Sequence, residues 1–319
     1  MKISRVAVIG AGNMGASIAE VMAFNGFEVA LKDTSMDLVG RGMQRIRSVV
    51  NSQVRFQAAR GGKEIERIEK LGITLSQEQK GKIMSSIKPD FTREEGDALL
   101  SRIHPTESYD DLRDADLVIE AVFESHDVKK KLFEELSGVL NKRCILASNT
   151  SSLGITSLSR YFSDPSRVFV THFFNPPFTL RLIEVVPSVL SNGETLNELI
   201  EFLGSLMNHR GPMVPIRVKE MPGFVVNRIL VPMMNEAAAI LDEGGASAKD
   251  IDLAMKLGAG MPMGPLELSD MVGLDVVQYV MEVLYSEYAS SKYAPSLLVK
   301  KLVSSGRLGR KTGSGFFDY

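Results

Sequence analysis

Cysteine is nearly absent: the 319 residues contain one, Cys144, which excludes an intrachain disulfide and any cysteine-rich metal site. It stands in the run Arg143-Cys144-Ile145-Leu146-Ala147, so it is expected as a small buried hydrophobe rather than a nucleophile. Histidine is also scarce. His104 precedes Pro105 in what reads as a short connection, His126 opens a helical stretch and His209 lies in a polar turn, none with a partner at ligand spacing, so no metal is expected. An excess of one charge sign is lacking too: a formal net charge of -2 with mixed signs argues against a general nucleic-acid binder. No apolar run approaches the roughly 20 residues that span a bilayer. The first residues already read as a strand rather than a targeting peptide, and a soluble cytoplasmic protein is the expectation.

What is present is an alternation of short β-branched runs with helical stretches. Val6 to Ile9, Ala16 to Asn25 and Phe27 to Leu31 form a βαβ unit, which predicts a parallel sheet. Further buried strands are expected at Leu117 to Ile119, Cys144 to Leu146, Val168 to Val170, Leu182 to Val186 and Val214 to Val218, with a helix from about Asp127 to Leu140. From about residue 36 to 108 the pattern turns long, charged and helix-forming, which reads as an inserted helical hairpin not needed to close the sheet. After Met221-Pro222-Gly223 the strand signals stop, and Val225 to Asp242, Ala248 to Leu257 and Leu274 to Tyr288 are helical in pattern. The expected fold is a doubly wound α/β domain over residues 1–218, followed by an all-helical domain over residues 219–319.

Gly10-Ala11-Gly12-Asn13-Met14-Gly15 fits G-x-G-x-x-G and lies between a strand and a helix, the context that the dinucleotide fingerprint requires. In that arrangement the first glycine permits the tight turn, the second lets a pyrophosphate approach the backbone, and the third lets helix and strand pack closely. The second strand ends at Asp33, where a carboxylate can accept hydrogen bonds from the adenosine ribose and repel a 2′-phosphate. The combination predicts NAD rather than NADP, with Lys32 the one feature arguing the other way.

A dehydrogenase also needs a base for the hydroxyl proton. His172, in Val170-Thr171-His172-Phe173-Phe174-Asn175-Pro176-Pro177, and Glu184, in the next apolar run, read as residues of two strands joined by a prolyl turn, whose return can bring the carboxylate to the imidazole. A carboxylate on one ring nitrogen fixes the tautomer and stabilises the imidazolium. Taken alone, the segment reads rather as a core histidine with a satisfied hydrogen bond. Ser151, in Ser148-Asn149-Thr150-Ser151-Ser152, either binds a substrate oxygen at the sheet's carboxyl edge or caps the helix that follows. The acid-free basic stretch Arg41 to Lys63 suits the phosphates of coenzyme A, or is a solvated helix face.

The glycine loop, Asn149 to Leu153, His172 to Pro176, Pro222 to Arg228, Ala254 to Gly260 with Pro262 to Pro265, and Gly309 to Phe317 together resemble L-3-hydroxyacyl-CoA dehydrogenase over nearly the whole chain. The resemblance implies an NAD-dependent, reversible oxidation of 3-hydroxyacyl-CoA to 3-oxoacyl-CoA. It implies His172 and Glu184 as the catalytic pair, Ser151 and Asn175 binding substrate and nicotinamide, and Asn227 entering the site from the helical domain. It places Glu124, Lys129 and Lys311 on the cofactor side, where the residues alone read as surface charge, and it implies a homodimer through the helical domain. The alternatives are a related dehydrogenase of a small hydroxy or sugar acid without coenzyme A, and a non-catalytic NAD-binding protein.

Overall fold

The computed structural model describes residues 3–319. These fall into two units, one comprising the chain to Thr150 together with Ile155–Arg217, the other Ser151–Gly154 with Val218–Tyr319. In the first, β1 (Arg5–Ile9), α1 (Asn13–Phe24) and β2 (Glu28–Lys32) form the opening βαβ unit. Four helices follow, α2 (Met36–Ala58), α3 (Arg60–Glu69), α4 (Gln77–Ser86) and α5 (Arg93–Ser101). The sheet resumes with β3 (Ile103–Thr106), β4 (Leu117–Glu120), α6 (His126–Ser137), β5 (Ile145–Ser148), α7 (Ile155–Ser159), β6 (Val168–Phe173) and β7 (Leu182–Pro187). Then come α8 (Gly193–Ser205), a two-stranded ribbon of β8 (Met207–Asn208) and β9 (Gly211–Pro212), and β10 (Val214–Arg217).

The strand order is β10-β7-β6-β5-β4-β1-β2-β3. From β3 to β6 all neighbours are parallel, and the order reverses between β1 and β4, the switch point where doubly wound sheets bind ligands. β7 runs antiparallel to β6 and carries β10 parallel on its far side. Residues of β4, β5 and β6 are buried throughout, as expected of strands covered on both faces.

The helical insertion is shorter than its sequence pattern suggests. Its last residues are β3, an edge strand that pairs only with β2, so His104 lies in the sheet rather than in a connection. Pro105 masked this strand, yet an edge position tolerates a residue without an N–H. Within the insertion α2 packs on α5 and α3 on α4. Ser76 and Thr92 close reciprocal capping boxes with Gln79 and Glu95, which fix the starts of α4 and α5.

The second unit contains α9 (Val226–Asp242), α10 (Ala248–Gly258), α11 (Pro265–Val272), α12 (Leu274–Tyr288) and α13 (Leu297–Ser304) around a core that includes Met234, Leu266, Met281 and Leu284. Two buried carboxylates organise its turns. Asp252 accepts the N–H groups of Leu266 and Glu267 at 2.8 and 2.9 Å, closing the start of α11. Asp270 accepts those of Phe316 and Phe317, both at 2.9 Å, and so anchors the Gly309 to Phe317 segment. Among the described residues no helix is long and apolar enough to cross a membrane, and no cluster of His, Cys, Asp or Glu could hold a metal ion.

Candidate active site

The glycine loop turns at the switch point. A Cβ on Gly15 would stand 1.7 Å from the carbonyl oxygen of Gly10, and one on Gly10 2.5 Å from that of Ala121, so both must be glycine for α1 and the β4 edge to approach so closely. A Cβ on Gly12 would meet nothing within 4 Å, and it would project into the opening above the N-terminus of α1. That open cradle of backbone, facing a helix start, fits a pyrophosphate. Asp33 is held beside it: one carboxylate oxygen accepts the Ala11 N–H at 2.7 Å and the other the Thr34 N–H at 2.7 Å. A cavity of about 910 Å³ runs over Gly10, Gly12, Asn13, Met14 and Asp33 to Val122, a volume suited to a dinucleotide.

Across the β4–α6 connection lies a buried ionic network that the sequence hid. Lys129, 1 % exposed, places Nζ 2.5 Å from Glu120 Oε1 and 3.2 Å from Glu124 Oε2. Ser148 donates to the other Glu120 oxygen at 2.6 Å, and Thr150 donates to Glu124 at 2.5 Å. Lys129 is thus not the solvated charge its run of lysines suggests, and Glu120, wholly buried at the end of β4, was missed. A lysine on the inward face of α6, opposite the last residue of a buried strand, was the available signal.

At the other end of the parallel array, β6 and β7 pair with His172 directly opposite Glu184. Directly opposed residues of an antiparallel pair point to the same face. His172 Nδ1 lies 2.9 Å from Glu184 Oε2, with the glutamate 0 % exposed and the histidine 7 %. An ionised carboxylate can only accept, so Nδ1 carries the hydrogen and Nε2 is the basic nitrogen of this tautomer. Phe174 tilts against the imidazole with ring centroids 4.6 Å apart. Asn149, at the end of β5, accepts the Phe173 N–H at 2.9 Å and locks the neighbouring strand end. Asn175 lies two residues beyond β6, before a cis peptide to Pro176.

The structure therefore brings His172 and Glu184 together, and gathers Gly10 to Gly15 with Asp33. Ser151, Asn227 and Lys311 belong to the second unit. Asn227 sits in the first turn of α9, which is entered through left-handed residues Gly223 (φ 72) and Phe224 (φ 45). Arg228 beside it lies over the Tyr288 ring at 4.5 Å and donates to the Tyr293 hydroxyl at 3.4 Å, which fixes that turn. Lys311 pairs with Asp275 at 2.5 Å. In the basic stretch, Arg41 pairs with Asp37, Arg60 with Asp90, and Arg45 donates to the Ala11 carbonyl at 3.3 Å. Arg47 and Arg55 line an open cleft of about 560 Å³ with Arg93 and Asn51. Cys144 is buried and free, its thiol pushed up to about 12 by burial, as an inert residue should be.

Residues 5–221 match the NAD binding domain of 3-hydroxyacyl-CoA dehydrogenase, and residues 223–319 match the C-terminal domain of the same family. The chain is 41% identical over 317 residues to a 3-hydroxybutyryl-CoA dehydrogenase of Bradyrhizobium diazoefficiens, covering 99% of this chain and 96% of that one. It is 38% identical over 315 residues to the enzyme of that name from Clostridioides difficile, covering 99% of each. The crystal structure of (S)-3-hydroxybutyryl-CoA dehydrogenase from Ralstonia eutropha superposes with a TM-score of 0.81 at 37% identity, covering 100% of this chain and 99% of that one. With both halves matched in order and a glycine cradle fit for the dinucleotide, the chain belongs to the 3-hydroxyacyl-CoA dehydrogenase family and is an NAD-dependent oxidoreductase.

Proposed function

We propose that this protein oxidises the C3 hydroxyl of an L-3-hydroxyacyl-CoA to the 3-oxoacyl-CoA, reversibly, with His172 Nε2 taking the hydroxyl proton. The observation that carries the reading is the buried Glu184 carboxylate 2.9 Å from His172 Nδ1 at the carboxyl end of β6. Glu184 orients the imidazole and offsets the charge it gains when protonated, which suits His172 to general-base work. NAD, when bound along the glycine cradle, supplies the acceptor for the hydride that leaves C3. Gly10, Ala11, Gly12, Asn13, Met14 and Gly15 hold the pyrophosphate, and Asp33 the adenosine ribose. Glu124 and Lys129 support the nicotinamide side through the network that reaches Thr150, and Lys311 serves the cofactor from the helical domain. Ser151, Asn175 and Asn227 hold the hydroxyl and thioester oxygens and the nicotinamide amide.

We divide the chain functionally at about residue 218 into a cofactor domain and a helical domain that pairs two copies. Support for that pairing comes from exposed apolar side chains of the helical unit, among them Ile229 at 67%, Leu257 at 79% and Met271 at 47% exposure. The free thiol suits the reducing cytoplasm, where we place the protein. The test is NADH consumption with acetoacetyl-CoA and a chain-length series of 3-oxoacyl-CoA substrates. Turnover of the series with wild-type protein and its collapse in His172→Gln support the reading; undiminished turnover in that variant sinks it.

A further inference from the structure

The adenosine end of the cofactor cavity contains a cation that the chemistry of NAD does not require. Lys32, the last residue of β2 and the neighbour of Asp33, is 3 % exposed and lines the same cavity. Its ammonium lies 3.9 Å from the centroid of the Tyr109 ring and turns back to donate to the Asp33 carbonyl at 3.3 Å. Glu135 of α6 lines the same cavity as Tyr109. Burial, then the nearby Glu135 carboxylate, raise the Tyr109 phenol well above its ordinary value, so at neutral pH its ring is neutral. Burial lowers the Lys32 ammonium despite the nearby carboxylates of Asp33, Glu135 and Glu107, the signature of a charge enclosed rather than presented to solvent.

Lys32 sits beside the carboxylate that must reject a 2′-phosphate, and a mobile ammonium there would undo the rejection by neutralising Asp33 and pairing with the phosphate. We propose that Tyr109 is a positioning residue for cofactor selectivity: its ring holds the Lys32 ammonium away from the ribose 2′ position, so that Asp33 faces a 2′-phosphate uncompensated. The cation–π contact and the carbonyl acceptor give the ammonium partners inside the protein. Discrimination is thus built from a restrained cation as well as an anion.

The inference rests on the dinucleotide assignment of this cavity, and its test separates the two. Calorimetric titration with 5′-AMP and with 2′,5′-ADP reads the adenosine end alone, without turnover. In Tyr109→Ala the released ammonium should tighten 2′,5′-ADP relative to 5′-AMP about fivefold or more, the upper range for a solvent-facing ion contact. Tyr109→Phe keeps the ring and should hold the wild-type ratio, and adding Lys32→Met to Tyr109→Ala should restore it. Lys32→Met alone, which asks nothing of the packing at residue 109, should leave the ratio unchanged. A gain that survives Lys32→Met in the double variant would assign the effect to Lys131, which lies 3.9 Å from Glu135, and overturn the proposal. So would an unchanged ratio in Tyr109→Ala, a shift in Tyr109→Phe equal to that in Tyr109→Ala, or a loss of 2′,5′-ADP affinity in Lys32→Met alone. Failure of wild-type protein to bind 5′-AMP at all would overturn the cavity assignment along with it.

Discussion

Two buried histidine–glutamate pairs occur in the α/β unit, and they are nearly the same object in different places. His172 and Glu184 meet at 2.9 Å with side chains 9% and 0% exposed; His209 and Glu20 meet at 2.7 Å with 5% and 1%. The first pair spans two opposed strands at the sheet's carboxyl edge. The second ties the turn between β8 and β9 to the middle of α1, inside a cluster of Phe24, Phe91 and Phe178 rings. Glu20 Oε2 is buried with no hydrogen-bond partner among the described residues. An imidazole on a carboxylate is therefore not by itself a base. On the proposed function, placement at the sheet's carboxyl edge suits the first pair to proton transfer, while wrapping in aromatic rings makes the second a brace.

The sharpest way to break this contrast is to remove each histidine. His172→Gln should lower kcat by about 10²–10⁴-fold while keeping the urea unfolding free energy within about 1 kcal/mol of wild type. His209→Ala should do the opposite, costing about 1–3 kcal/mol of unfolding free energy by leaving Glu20 buried without its hydrogen-bond partner, with kcat within about threefold. If His209→Ala lost turnover and kept stability, the assignment of roles would be reversed. Next in size, Glu184→Gln should lower kcat at least about tenfold through a misdirected tautomer, an effect absent from Glu20→Gln. The smallest effect uses Cys144, whose thiol is buried and pushed up to about 12. Iodoacetamide at pH 7.5 should leave it unmodified in wild type and His172→Gln, and modify it measurably only where His209→Ala populates opened chains.

Much of this was legible in the sequence because it is local. The βαβ unit, the glycine loop and Asp33 lie within one short stretch, and the His172 to Glu184 spacing is set by a strand, a prolyl turn and a returning strand. What stayed hidden depends on residues far apart. Glu20 and His209 are 189 positions apart, so the segment that holds His209 read only as a polar turn. Lys129 carries the same lysine pattern as a solvated helix, and only the docking of α6 against the end of β4 turns it inward. β3 was hidden for a different reason, because a proline suggests a break unless the strand is known to lie at an edge. Lys32 was recognised as a neighbour of Asp33 but its restraint was not, since Tyr109 comes from beyond the whole helical insertion.

The reversal of β7 has a consequence for how this catalyst can vary. Because His172 and Glu184 are opposed residues of one ladder, backbone hydrogen bonds between β6 and β7 meter their separation, and the connecting residues 174–181 do not. A slip of one position would turn the two side chains to opposite faces, so the ladder acts as a ruler with a single acceptable reading. Beyond Asn175 the connection can lengthen, shorten or change its side chains while His172 and Glu184 keep their spacing. The ladder that spaces the pair and the turn that joins its strands are thus separately adjustable parts of one hairpin.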